Sequence, residues 1–344
     1  MIDPTRWEQG SMLDLSIETG GAEYPWPPTS PLWGSGRDAM RAIFAWGRET
    51  NGWRRLWCPS YMCQRVAAAL AREISLEAYP LAPTSAGPPR IETQAGDVVL
   101  SIATLGRLVA PVIVGSAPII EDHSHDPISP QAAASTADYA VASLRKTLPL
   151  PDGGVLWSPR GHRLPQELPM TDRHAHATFD RLAAMSLKHQ YLEGRAVSKD
   201  DFRQLSLDGE RDVGLGPISG ISGFSRSRLV SLPAQEWRAR RADNLAAFRD
   251  SFGQIDGLRL LDTSFVATIV FEDASIRDRV RADLVDDRIY PVVYWPLEDR
   301  VTPGVPDTDV ELSRRILSIH CDQRYTPDDM VRVARSVGTA VAAA

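Results

Sequence analysis

The chain has 344 residues, 43% of them hydrophobic and 24% charged, and a formal net charge of −6. These values suit a soluble globular protein of roughly two domains, and the negative balance excludes a general nucleic-acid binder, which needs surplus cations to displace phosphate counterions. No apolar run approaches the ~20 residues of a membrane span, no signal peptide opens the chain, and Cys58, Cys63 and Cys321 make neither a disulfide framework nor a metal set, so a cytoplasmic setting is expected.

Residues 1–30 read as an N-terminal arm. Within it, Gly10-Ser11-Met12 looks like a cloning junction before a native methionine, so residues 1–11 carry no weight in the fold expectation. Residues 20–34 are rich in Pro, Gly and aromatic rings and predict extended chain, either a plain lead-in or a strap over a partner subunit or a site mouth. From Ser35-Gly36-Arg37, Met40, Ile43 and Phe44 fall at helical spacing. The free N–H groups and dipole at such a helix start suit a phosphate.

A short strand over 54–59 and an alanine-rich helix over 65–72 follow. Apolar runs over 97–104, 112–114 and 117–122 predict buried parallel strands in βαβ units. The last ends in Glu121-Asp122-His123-Ser124-His125, with acid and imidazole where open α/β sheets bind ligands. As metal ligands, Asp122, His123 and His125 would be crowded and incomplete; a solvated turn is the other reading.

The stretch around which the rest is arranged is 138–149, an apolar strand ending in Ser143-Leu144-Arg145-Lys146, then Asp152-Gly153-Gly154 and an apolar return over 155–157. Lysine occurs only at Lys146, Lys188 and Lys199. Arginine stays protonated in proteins, whereas a partly buried lysine can become a nucleophilic amine able to form a Schiff base. The plainer reading is an exposed basic pair at a strand end.

Residues 172–212 are polar and partly helical, and the glycines of 214–223 read as a mobile connection without a dinucleotide pattern. A long helix over 234–252 marks a change of composition. Beyond it, strands over 258–261 and 266–271 and helices over 274–286 and 328–337 predict a smaller α+β unit. The expected division is a large domain over 31–230 and a small one over 231–344.

Several of these stretches, in this order, resemble the fold-type-I pyridoxal phosphate (PLP) enzymes, and among them the DegT/StrS-like sugar-nucleotide aminotransferases. The carrying residues are Ser35-Gly36-Arg37, Pro59-Ser60-Tyr61, Ile120-Glu121-Asp122 with His125, and Ser143-x-x-Lys146 before Pro151-Asp152-Gly153-Gly154. Tyr290-Pro291-Val292, Tyr294-Trp295-Pro296-Leu297 and Asp322-Gln323-Arg324-Tyr325 extend the likeness to the C-terminal part.

The resemblance implies an α/β fold, a large domain with a mostly parallel sheet flanked by helices plus a smaller α+β C-terminal domain. It implies PLP as cofactor, bound by Lys146 as the amine and proton shuttle and by Asp122 at the ring nitrogen. His125 would contact the phenolic oxygen, and Ser35, Gly36, Arg37 and Ser143 the phosphate, with Tyr61 and Cys63 near the ring face. Arg37 stands where the family usually has a small hydroxyl residue, and Cys63 where an aromatic ring often covers the cofactor. Substrate contacts are expected from Arg226, Tyr294, Trp295, Arg324 and Tyr325, in a homodimer whose sites are shared across subunits.

The expected reaction is amino transfer from a donor such as glutamate to a keto group of a sugar or similar small molecule. The alternatives are another PLP reaction on an amino acid (racemisation, elimination, decarboxylation or carbon–carbon chemistry), with Arg37, Arg226 or Arg324 clamping a carboxylate, and a non-catalytic PLP-binding descendant. No metal, nucleic acid or membrane partner is expected.

Overall fold

The computed structural model describes residues 4–214 and 216–344. Residues 1–3 of the discounted leader and Leu215 of the glycine-rich connection lie outside the described residues. Among the described residues no helix is long and apolar enough to cross a membrane.

The strands β1 (Leu32–Trp33), β2 (Arg55–Pro59), β3 (Ser75–Tyr79), β4 (Asp97–Thr104), β5 (Ile119–Asp122), β6 (Tyr139–Ser143) and β7 (Gly154–Trp157) build the central sheet. Their order is β3-β2-β4-β5-β6-β7-β1. Pairing from β3 through β6 is parallel, while β7 runs antiparallel to both of its neighbours. Val98, Val99 and Leu100 of β4 are all fully buried. A strand covered on both faces has no wet side, so it reads as an unbroken apolar run rather than an alternation.

Two strand readings need correction. The edge strand β3, Ser-Leu-Glu-Ala-Tyr, was not expected, because its short polar–apolar mixture lacks that continuous signal. Val112–Val114, expected as a buried piece, pairs instead with Arg90–Glu92 in a separate two-stranded ribbon, with Val112 and Val114 exposed.

Helix α1 (Gly36–Thr50) starts where the sequence places it, and the Ser35 side chain caps it by accepting from the Asp38 N–H. Its inner face buries Met40, Ile43 and Phe44 against the sheet; each such side chain contributes roughly 1.5–3 kcal/mol. Gly47 is set by packing: a Cβ there would lie 2.0 Å from the Trp53 ring. After β2 comes α2 (Gln64–Leu70). The polar region resolves into a helical hairpin, α3 (Asp172–Leu192) and α4 (Lys199–Asp212), the second opened by a Ser198–Asp201 capping box.

Past α5 (Gly223–Leu229), the chain enters α6 (Ala234–Phe252). A second, antiparallel sheet follows with order β8 (Leu258–Leu260), β9 (Val266–Phe271), β10 (Ile316–His320). Helices α6, α7 (Ala274–Asp286) and α8 (Pro327–Ala343) contribute Phe248, Val280, Val333 and Val337 to a core around Ile269, Phe271, Leu317 and Ile319. That core is a different cluster from the one beneath the central sheet.

The segment given no weight is part of the fold. Gln9–Gly10 pairs in parallel with Ile289–Tyr290, and Glu8 and Gln9 are buried. Glu8 takes Lys188 at 3.0 Å and Lys199 at 2.6 Å, one on each oxygen. The arm then packs on its own chain: Tyr24 stacks on Trp26 at 4.6 Å, and its hydroxyl donates to the Leu229 carbonyl.

Candidate active site

Four elements deliver the site to one edge of the central sheet. Parallel β5 and β6 put Asp122 and Val141 in register. Asp122 therefore ends its strand beside the point where β6 runs into Ser143 and the 3-10 turn Leu144–Lys146. The N-terminus of α1 closes against the same place. A Cβ on Gly36 would stand 2.8 Å from the Cβ of Ser143, so a glycine is what lets the helix end reach that hydroxyl residue.

A cavity of about 200 Å³ opens here. Ser35, Gly36, Arg37 and Ser143 line one part of it. Cys63, Asp122, Lys146, Tyr294 and Trp295 line the rest. Asp122 is held by Ser124: its Oδ1 accepts from the Ser124 N–H at 2.9 Å and the hydroxyl at 2.5 Å. Ser124 Oγ in turn accepts from the Ser143 N–H at 2.8 Å, tying the two strand ends together.

Among the described residues, Lys146 Nζ has a single hydrogen-bonding neighbour, His125 Nε2 at 3.3 Å. The Lys146 side chain is exposed to water. Protein surrounds the amine elsewhere, and that burial pushes its pKa down, opposed by the nearby charge of Asp122. His125 is buried on every side, which, with the neighbouring Lys146, holds its pKa well below the usual value, so the ring is neutral. Its Nδ1 accepts from the Leu105 N–H at 2.9 Å. The proton of the neutral ring is therefore assigned to Nε2, on the Lys146 side. Phe265 stacks on the ring at 4.6 Å and 4°, with Trp295 at 5.5 Å.

The structure does not bring every expected residue to this cavity. Tyr61 is buried in a neighbouring core and donates its hydroxyl to the Tyr294 carbonyl at 2.6 Å. Arg226 pairs with Glu167 at the exposed surface. Tyr325 is packed against the N-terminal strand, its hydroxyl accepting from the Gly10 N–H at 2.7 Å. Arg324 is engaged by Asp322, at 2.7 Å and 2.8 Å, and lines an adjoining chamber. The three residues weighed as metal ligands diverge: Asp122 goes to Ser124, His123 Nε2 meets Glu121 at 2.9 Å, and His125 goes to Leu105.

Other residues at the site went unselected in the sequence. Glu210 of α4 gathers three guanidinium groups: Arg145 at 2.5 Å, Arg181 at 2.9 Å and Arg37 at 3.3 Å. Burial alone would raise its carboxyl, but Arg145 foremost among the three brings it down to about 2. Phe265 and His320 also line the cavity, and burial lowers His320 to about 4. Ser124 alone had a local signal, the Asp-x-Ser spacing of a side-chain turn.

No protein-family model and no curated protein sequence matches the chain. Solved structures do. PseC from Helicobacter pylori, an aminotransferase involved in the biosynthesis of pseudoaminic acid, superimposes with a TM-score of 0.61 at 9% identity, over 98% of this chain and 100% of that one. The fold is that of the sugar aminotransferases. Spr1654 from Streptococcus pneumoniae in its PLP form gives 0.60 at 11% identity, over 97% of this chain and 99% of that one. DesI, solved in the presence of its TDP-sugar product, gives 0.55 at 15% identity, over 91% and 80%. The strand order, with a parallel centre and an antiparallel β7, is thus a fold-type-I arrangement, as the sequence resemblance implied.

Proposed function

We propose that the protein is a PLP-dependent aminotransferase. The observation that carries this reading is the Lys146 amine: among the described residues it has no hydrogen-bonded carboxylate, it lies 3.3 Å from a neutral His125, and it shares its cavity with Asp122.

The donor set fits PLP. Gly36 and Arg37 offer N–H groups at a helix start beside the Ser143 hydroxyl, the chemistry a phosphate needs. Asp122 Oδ1 is occupied by Ser124, and Oδ2 makes no hydrogen bond among the described residues, which leaves it for a protonated ring nitrogen. His125 Nε2–H is a donor for a phenolic oxygen, with its tautomer fixed by Leu105. When bound, PLP supplies an electron sink for the carbon next to the amino group. Asp122 holds the proton that makes the sink effective, and its own position is held by Ser124. Lys146 Nζ, whose pKa burial lowers, would be the base placed to accept and return a proton at the cavity it lines. Phe265 and Trp295 stack on His125 and, with Tyr294, line the cavity with aromatic rings.

The donor we propose is glutamate, and the acceptor a keto group of a sugar or similar small molecule; the sugar-handling neighbours of the same fold support that class. We further propose a homodimer with shared sites, in which the surface residues near Arg226 meet the partner. The chain would divide near residue 231, with separate apolar clusters beneath the central sheet and around the C-terminal sheet. Three free cysteines suit a cytoplasmic setting. The test is the half-reaction: protein loaded with PLP and mixed with glutamate alone should release stoichiometric 2-oxoglutarate. Absence of 2-oxoglutarate with glutamate and with a panel of other amino donors would rule the aminotransferase reading out.

A further inference from the structure

Close to Lys146, Arg37, Arg145 and Arg181 all make their ion pairs with Glu210, with Asp38 and Asp152 acting on them from farther off, and among the described residues Arg145 Nε is buried with no hydrogen-bond partner. Burial and the neighbouring Arg145 push the Arg181 guanidinium down, the mark of crowded cations. Beyond Arg145 and Lys146 lies a second chamber of about 270 Å³, bounded by Arg145, Arg181, Glu210 and His320 and roofed by Ser11, Met12 and Leu13. Arg324 also faces it, but Asp322 already neutralises that guanidinium. The donor left without a partner therefore sits on the Arg145–Arg181 side.

At about 270 Å³ the chamber has room for a small dicarboxylic acid. It shares Lys146 with the first cavity, so an acid anchored here has its other end at the amine. Planar guanidinium groups are suited to carboxylates through paired N–H bonds.

We propose that this chamber is the anion seat for a carboxylate of the amino donor and of the 2-oxo acid it becomes, gripped by Arg145 and Arg181, with Glu210 as the internal carboxylate that yields to it. This deepens the aminotransferase reading and rests on it. An anion here has two sources, the substrate's carboxylate or the cofactor's phosphate, and the experiment separates them.

PLP-loaded wild type, Arg181→Gln and Glu210→Gln are titrated with 2-oxoglutarate by calorimetry, and PLP uptake is measured separately by absorbance near ~420 nm. Hydrogen bonds to charged groups are worth ~1.5–3 kcal/mol, so Arg181→Gln should weaken 2-oxoglutarate by roughly 10–150-fold, with PLP uptake within about threefold of wild type. Glu210→Gln removes the competing carboxylate and should tighten 2-oxoglutarate. These opposite signs exclude a merely structural role, which would weaken both. Should Arg181→Gln lose PLP uptake while binding 2-oxoglutarate normally, the cluster serves the phosphate and the proposal fails. If Arg181→Gln does not fold, Glu210→Gln decides alone: tighter binding supports the proposal, unchanged or weaker binding overturns it. A protein that takes up no PLP sinks the aminotransferase reading, whereas the same titrations on the PLP-free protein still read the chamber.

Discussion

Two lysines in this molecule have opposite surroundings, Lys188 buried and Lys146 with an exposed side chain. Lys188 spends its three N–H donors on Glu8 at 3.0 Å, the Met12 carbonyl at 2.6 Å and the Ser11 hydroxyl at 3.3 Å. Among the described residues, Lys146 has one hydrogen-bonding neighbour, a neutral imidazole. Burial lowers both, Lys188 to about 8. A lowered pKa is thus no sign of reactivity by itself. What separates the two is whether the amine is already satisfied: Lys188 clamps the N-terminal segment, and Lys146 is left open to a cavity.

Exchange of each lysine for alanine breaks that comparison most severely. Lys146→Ala should cut amino transfer at least ~10⁴-fold, the upper range for acid–base groups, with melting temperature little changed. Lys188→Ala should keep the chemistry but lose about 3 kcal/mol of stability, because Glu8 loses one of its buried partners. Parallel assays of rate and thermal unfolding check both; a Lys146→Ala protein that still turns over would end the distinction.

Next in size, His125→Phe keeps the stack on Phe265 but removes the Nε2 donor, and should lower single-turnover rate by ~10²-fold. The pH dependence sharpens the same point. A neutral amine captures an aldehyde, so PLP capture by the protein rises with pH through the Lys146 pKa. Since burial lowers that pKa, the midpoint should fall below that of free lysine, ~10.4. Stopped-flow capture rates across pH test this, and a midpoint at the free-lysine value would contradict it.

The smallest effect expected is at acid pH. The Glu210 carboxyl is lowered from 4.5 to about 2, so its ion pairs stabilise the fold above the unfolded pKa, and that contribution is lost as pH falls from 4.5 toward 2. Acid titrations of wild type and Glu210→Gln should differ in that window, with the variant less sensitive.

Much of this was legible in the sequence because it is local. An apolar strand ending in Ser143-x-x-Lys146, an acid at the end of another, and a Ser-Gly helix start each carry their signal within a few residues. Scarcity of lysine pointed to Lys146, but the same argument misleads for Lys188 and Lys199, whose roles depend on Glu8 in a segment set aside as foreign. The arginine cluster was not legible at all. Its members meet Glu210 across 65 residues from Arg145 and 173 from Arg37, on helices whose polar text reads as solvent-facing. Tyr325 and Tyr61 were misplaced for the converse reason, since a conspicuous aromatic ring near a motif can serve the core instead.

The most direct test of the account is to incubate the protein with PLP, fix it with borohydride and map the modified peptide by mass spectrometry. The account expects one pyridoxyl group, on Lys146, and none on Lys188 or Lys199. A label on either of those lysines, or no label, would contradict it.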